Sequence, residues 1–148
     1  MTLRKLYKAD LQQLIQLEET TQAVPWSDEA FRHCLDAGYQ VWGVEIDSKL
    51  IGFIIISVKA GESHIMNICV DPHHQRQGYG LQLLEHGLKE ARAGHADIAI
   101  LEVRQTNTKA IRLYKKLGFI QIGVRKDYYP VPTGREDALM FAKDLVVK

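Results

Sequence analysis

Little in this 148-residue chain is present in excess. It holds two cysteines, Cys34 and Cys69. That is too few for the disulfide framework of a small exported domain. The first residues carry Arg4, Lys5, Lys8 and Asp10 but no apolar leader, so no secretory signal is expected and both cysteines read as reduced thiols of a cytoplasmic protein. Cys69, between Ile68 and Val70, reads as a small buried thiol. No recognisable motif places a histidine near it, which argues against a cysteine nucleophile. Long hydrophobic runs are also missing. The longest, Ile51 to Val58, is broken by Gly52 and Ser57 and is far too short to span a bilayer, so no membrane partner is expected. Neither sign of charge dominates: 19 Lys and Arg stand against 18 Asp and Glu, a formal charge of +1. A generic nucleic-acid binder would show a marked basic excess, so direct nucleic-acid binding is not expected, although local patches stay possible.

Metal-ligand spacing is absent too. His73 and His74 are adjacent and cannot easily face one ion, and no carboxylate or cysteine stands at a recognised ligand distance from them. They read as a solvated loop, and His33, His64, His86 and His95 are scattered. No metal is expected. There is no repeat, low-complexity segment or Pro/Gly/Ser-rich linker. Residues 1–148 therefore read as one domain, with 46% apolar and 25% charged residues, as in ordinary soluble globular proteins.

The apolar periodicity alternates between two periods. Leu3 to Leu6 reads as a short strand. A helix starts at Ala9 or Asp10, with Leu11, Leu14, Ile15 and Leu17 near helical spacing. Ser27 can cap a second helix whose first turn holds Asp28 and Glu29 and whose apolar face is Phe31, Cys34 and Leu35. Gln40 to Ile46 and Leu50 to Lys59 read as strands joined by the hairpin loop Asp47-Ser48-Lys49, followed by a strand from His64 to Val70. Leu81, Leu84, Leu88 and Ala91 line one face of a helix from Leu81 to Ala93, with Glu85 and Lys89 as a surface pair. Ile98 to Val103 reads as a buried strand. Asn107 caps a helix carrying Ala110, Ile111, Leu113, Tyr114 and Leu117, and Gly118 stops it. Phe119 to Tyr128 and Ala138 to Val146 make a final strand pair. The order β-α-α-β-β-β-α-β-α-β-β is mixed α/β.

The most informative stretch is Gln75-Arg76-Gln77-Gly78-Tyr79-Gly80. It lies between a strand and a helix start. First-turn N–H groups have no partner inside a helix, and the helix dipole favours negative charge there. Glycine lets the backbone approach a phosphate closely. A phosphate-bearing cofactor is the expectation, against the plainer alternative of a glycine-rich turn. A P-loop is excluded, because Leu81-Gln82 follow Gly80 where Lys and Ser or Thr are needed. A dinucleotide fingerprint is excluded, because Leu83 stands where the third glycine belongs.

What remains, Gln-x-x-Gly-x-Gly after Val70-Asp71-Pro72, resembles the acetyl-CoA pyrophosphate loop of the GNAT N-acetyltransferase superfamily. The downstream run Glu102-Val103, then Asn107-x-x-Ala110-x-x-Leu113-Tyr114 and Leu117-Gly118-Phe119, is similar to the superfamily pattern at this distance. Pro25-Trp26-Ser27, Tyr128-Tyr129-Pro130 and Glu136-Asp137-Ala138 resemble the bacterial ribosomal-protein alanine N-acetyltransferases. The resemblance covers nearly the whole chain. It departs mildly at Thr106, where many relatives have Ser before the Asn. It implies a single-domain acetyltransferase fold, a mixed and mostly antiparallel twisted sheet flanked by helices and splayed between strands 4 and 5. It also implies acetyl-CoA as co-substrate. Ile68, Cys69 and Val70 would line the pantetheine arm with backbone, and Arg76, Gln77, Gly78, Tyr79, Gly80, Leu81 and Asn107 would complete the cofactor site.

Two residues are candidates for chemistry. Glu102 interrupts an apolar strand, and burying a carboxylate is costly without a partner or a task. Desolvation would raise its pKa toward the range of a general base. The alternative is a strand-end Glu paired with Arg104 or another cation. Tyr114 on its own reads as a core aromatic. The resemblance implies instead the general acid that protonates the departing CoA thiolate. Trp26, Tyr128 and Tyr129 are candidate walls of a groove for a peptide terminus, or simply packing aromatics. Arg125-Lys126 reads as solvated surface.

The implied activity is transfer of an acetyl group to the N-terminal α-amine of a protein, with the N-terminal alanine of a small-subunit ribosomal protein as the expected partner. An α-amine has a pKa near ~8, against ~10.4 for lysine, so a positioned carboxylate can deprotonate it. Backbone N–H groups would then stabilise the oxyanion. The rivals are a lysine or small-amine N-acetyltransferase of the same fold, and a non-catalytic acyl-CoA-binding module.

Overall fold

The chain was described as a computed structural model, in which residues 1–146 are defined. Strand β1 (Thr2–Lys5) opens the chain one residue earlier than the apolar pattern suggests. A short 3-10 turn, Lys8–Asp10, leads into helix α1 (Leu11–Thr21). Asp10 fixes that entry: its carboxylate accepts from the Tyr7 N–H at 2.8 Å and from Arg4 Nη2 at 2.7 Å. Helix α2 (Asp28–Asp36) starts where Ser27 accepts from the Ala30 N–H at 3.2 Å, satisfying one orphan donor.

Strands β2 (Gln40–Ile46) and β3 (Lys49–Lys59) form a hairpin over a two-residue turn, Asp47-Ser48, not the three-residue loop expected. Both turn residues are left-handed, with φ 51° and 65°, the geometry that matches strand twist. Lys49 pairs with Ile46 and so belongs to the strand. Strand β4 (Glu62–Val70) begins two residues before His64. Helix α3 (Tyr79–Ala93), strand β5 (Ile98–Arg104) and helix α4 (Thr108–Lys116) follow. The closing hairpin is longer than the sequence suggested, β6 (Ile120–Val131) with β7 (Gly134–Asp144), because Tyr129, Pro130 and Val131 still pair with Glu136, Arg135 and Gly134.

Seven strands form one sheet in the order β1-β2-β3-β4-β5-β7-β6. All pairs are antiparallel except β4 with β5. Strand β3 is buried on both faces from Leu50 to Ile56, which is why it reads as a continuous apolar run. On one face Ile54 and Ile56 pack with Leu83, Leu84 and Leu88 of α3. On the other, Phe53 and Ile55 pack with Leu14 of α1 and Phe31 of α2.

The buried face of α3 corrects the sequence reading. Leu83 and Gly87 join Leu84, Leu88 and Ala91 in the core, whereas Leu81 is only half-buried. Gly87 is there for close approach, since a Cβ would meet Ile54 at 2.8 Å. Among the described residues no ion pair joins Glu85 and Lys89. The near contact on this helix is His86 Nε2 with Glu90 Oε1 at 3.5 Å.

The parallel β4–β5 pairing covers four register pairs, Glu62↔Ile98 to Ile65↔Leu101, and stops. Beyond it the two strands diverge, which is the splay expected between the fourth and fifth strands. Met66 to Val70 and Glu102 to Arg104 therefore flank an opening in the sheet.

Candidate active site

Two cavities meet at that opening. The first, about 720 Å³, is lined by Ile68, Cys69 and Val70 of β4, by the loop and first turn of α3, and by α4. The loop turns through two left-handed residues, Arg76 (φ 65°) and Gly78 (φ 85°), before α3 begins at Tyr79. The helical bonding at this end begins with the Gln82 N–H donating to the Gly78 carbonyl, so the N–H groups of Tyr79, Gly80 and Leu81 lie in the orphan first turn. That is a cradle for an anion. Three cations, Lys109, Arg112 and Lys116, line the α4 side, a contribution that sequence reasoning missed. A helix spacing of three to four residues was the available signal.

Of the expected cofactor residues, Ile68, Cys69, Val70, Arg76, Gly78, Tyr79, Gly80, Leu81 and Asn107 line this cavity. Gln77 does not. It is an exposed residue between the two left-handed turns. Cys69 faces the cavity with its backbone, because its Sγ lies 3.9 Å from the Leu17 carbonyl on the opposite side. Burial pushes this thiol up to about 12, which keeps it protonated and inert. Asn107 caps α4, its Oδ1 accepting from the Ala110 N–H at 3.2 Å. His74 is half-buried rather than solvated, 3.8 Å from Asp71 Oδ2, while His73 is exposed.

The second cavity is about 570 Å³. Trp26, Tyr128 and Tyr129 all line it, together with Glu18, Asn67, Glu102 and Arg104. The two cavities share Ile68, Asn107, Ala110 and Tyr114. Tyr114 is at once core and wall. Its ring packs on Phe119 and Phe141 with centroids 5.9 and 6.5 Å away, and burial pushes its hydroxyl well above the ordinary phenol range. It remains a proton donor at any physiological pH.

Glu102 corrects the expectation for its acidity. Its Oε2 lies 2.8 Å from His64 Nε2, and its Oε1 lies 3.6 Å from Arg125 Nε. The hydrogen bond from His64 outweighs desolvation, and the carboxyl is held below the usual carboxylate range. The reason is strand alternation. Ala99, Leu101 and Val103 are buried, while Glu102 shares the half-exposed face of β5 with Ile98, Ile100 and Arg104. Arg104 is not its partner. It pairs with Glu136 at 3.0 Å and lies over the Tyr129 ring at 4.5 Å. Arg125 and Lys126 are both exposed, as expected, but the Arg125 guanidinium also reaches 5.2 Å over the Tyr128 ring.

Glu18 is the residue that sequence reasoning overlooked entirely. It is 1% exposed. Its carboxylate accepts from the Trp26 N–H at 3.0 Å and from Asn67 Nδ2 at 3.2 Å, with no cation within ion-pair distance among the described residues. Desolvation raises its pKa. No spacing rule links positions 18, 26 and 67. Only the fold brings them together.

Among the described residues no cluster of His, Cys, Asp and Glu could hold a metal ion, and no helix is long and apolar enough to cross a membrane.

Residues 5–119 match the acetyltransferase (GNAT) family. The chain is 38% identical to the [ribosomal protein bS18]-alanine N-acetyltransferase of Escherichia coli over 141 residues, 95% of each chain. It is 36% identical to the same-named protein of Haemophilus ducreyi, over 93% of this chain and 95% of that one. The crystal structure of the Escherichia coli ribosomal-protein alanine N-acetyltransferase superposes with a TM-score of 0.93 at 36% identity, covering 99% of this chain and 95% of the other.

Proposed function

The chain belongs to the acetyltransferase (GNAT) family, and from that premise we propose that it transfers the acetyl group of acetyl-CoA to the α-amine at a protein N-terminus. The acceptor proposed is the N-terminal alanine of a small-subunit ribosomal protein, in keeping with the names of the relatives at 36–38% identity over nearly their full length. We assign the reaction to the cytoplasm. The observation that carries the reading is the junction at Tyr114. A backbone-built anion cradle and an aromatic, carboxylate-bearing groove open onto the same four residues.

Acetyl-CoA supplies an activated acyl carbon and a thiolate leaving group. The first-turn amides of α3 and the cations of α4 suit its phosphates. Trp26, Tyr128 and Tyr129 hold the acceptor chain. Glu102 is ionised at neutral pH and is therefore ready to accept a proton, directly or through water. It is a weak base for a free ammonium, so the α-amine, with a pKa near ~8, enters the reaction as the neutral form after losing its first proton to solvent. As the amine nitrogen bonds to the acyl carbon, however, positive charge grows on nitrogen and its N–H becomes strongly acidic. A fixed carboxylate is then sufficient. Tyr114 protonates the thiolate as the C–S bond breaks, and the buried ring cannot be drained of its proton by solvent.

Intact-mass spectrometry tests this with acetyl-CoA and a panel of α-amine peptides beginning Ala, Ser and Met, α-blocked lysine peptides, and polyamines. A single acetyl group on the Ala peptide is the expected result. Acetylation confined to blocked lysine peptides or polyamines would overturn the acceptor. Bound acetyl-CoA with no product on any amine would favour a non-catalytic acyl-CoA-binding module.

A further inference from the structure

The carboxylate of Glu102 is anchored from both sides, and the anchor on β4 is a histidine. An ionised carboxylate only accepts hydrogen bonds, so the ring nitrogen 2.8 Å from Oε2 is the one that carries hydrogen. The basic site left on the ring is Nδ1. The His64 side chain is 38% exposed, against 10% for Glu102, so solvent protons reach the ring more readily than they reach the carboxylate. The parallel register places His64 opposite Ile100, two residues before Glu102 on the same face of β5.

We propose that His64 is the positioning residue of the reaction and its proton gate. The neutral ring holds Glu102 facing the acceptor amine through Nε2–H, and a proton taken up at Nδ1 locks the carboxylate into an ion pair and removes it from proton transfer. This rests on the assignment of Glu102 as the base. With the ring neutral, the carboxylate faces one cation, Arg125 of β6 at 3.6 Å. With the ring protonated, it faces two. The gate is electrostatic and local. Ser57, the register partner of His64 on β3, is uncharged, as is Met140, the partner of Glu102 on β7. Tyr129 lies beyond Glu102 and feels its charge, with Tyr128 beneath Arg125 and the Arg104–Glu136 pair further along the groove. Across the groove stands Glu18. Imidazole is the side chain whose charge ordinarily changes between about pH 5 and 8. The imidazolium would also repel an incoming α-ammonium, closing the groove to acceptor at the same time.

The test has two readouts. One is kcat at saturating acetyl-CoA and Ala-peptide, from acid to alkaline pH, for the wild type, His64→Gln and His64→Ala. The other is the NMR titration of the His64 ring in the wild type and in Glu102→Gln. The wild type should lose turnover on the acid side, in the range where imidazoles titrate. His64→Gln keeps an N–H donor but takes up no proton, so it should stay active at neutral pH and lose that acid limb. His64→Ala should fall roughly 10- to 100-fold at neutral pH, the cost of a misaimed group, with acetyl-CoA affinity unchanged. In Glu102→Gln the ring should titrate at lower pH, because its opposite charge is gone. An identical pH profile in all three proteins would overturn the gate, as would a ring titration indifferent to Glu102→Gln. A wild type that acetylates no α-amine peptide at any pH would instead fell the acceptor reading, and the gate's use in turnover with it. The ring titration would still decide whether the pair is coupled.

Discussion

The two cavities that meet at Tyr114 are made of different materials. The cavity proposed for the cofactor is framed by backbone features, namely the divergent end of β4, two left-handed turn residues and the first turn of one helix, with the cations of α4 along one side. The cavity proposed for the acceptor draws its aromatic and charged side chains from α1, the segment before α2, β4, β5, α4 and β6. A backbone site depends on conformation and tolerates exchange of side chains, as Cys69 shows by turning its thiol away. A side-chain site depends on charge and shape, so one substitution can redirect it.

The largest expected effect breaks the junction where the two sides touch. Glu102→Gln and Tyr114→Phe should each lower kcat about 10²- to 10⁴-fold, the usual worth of a positioned acid or base, while calorimetric affinity for acetyl-CoA stays at the wild-type value. Normal turnover in both would remove the catalytic assignment. Next comes the backbone side alone. Gly78→Val forces a β-branched residue to φ 85°. A penalty of about 1–2 kcal/mol for left-handed geometry should weaken acetyl-CoA binding about tenfold and leave the acceptor KM intact. Equal weakening of both substrates would erase the distinction between the sides. Smaller again is Tyr128→Ala. Losing aromatic packing of about 0.5–1.5 kcal/mol should raise the acceptor KM about 3- to 10-fold with no change in cofactor affinity.

The smallest effect separates the two carboxylates of the acceptor side. Burial raises the Glu18 pKa, so its contribution to stability is fully present below its unfolded value near 4.5 and is lost as pH rises through the folded value. The Glu102 pKa is lowered, so its contribution is present above 4.5 and is lost as pH falls through the folded value. Urea midpoints at pH 4 and pH 7 should therefore shift in opposite senses. Glu18→Gln should gain relative stability at pH 7, and Glu102→Gln should lose it. Shifts of the same sign would show that one environment governs both groups.

The same division explains what could be read from the residues. The glycine loop was legible because its constraints are local: left-handed turns and a helix start occupy neighbouring positions. Ser27 and Asn107 were legible as caps for the same reason. Glu102 was legible as a residue in an odd place, but not its acidity. His64 lies 38 positions away and Arg125 arrives on a strand paired through β7. Glu18 escaped notice because a Glu in a helix is ordinary until Asn67, 49 positions on, is folded against it. Leu81 and Leu83 were exchanged because a helix face can be drawn one residue to either side until Gly87 shows which ridge meets β3.

The halt in β4–β5 pairing after Ile65↔Leu101 has a consequence for the life of the protein as well as for its chemistry. A sheet that opens midway leaves Ile68 to Val70 paired with β3 on one side and without a strand on the β5 side. A ligand laid along them takes the place of that strand, and binding only the folded chain stabilises it by mass action. At a ligand concentration of 100 Kd the gain is about 2.7 kcal/mol, enough to slow proteolysis of the opened chain roughly a hundredfold. Scarcity of the acyl donor would then shorten the survival of the catalyst as well as idle it, so that abundance follows metabolic supply without any separate sensor.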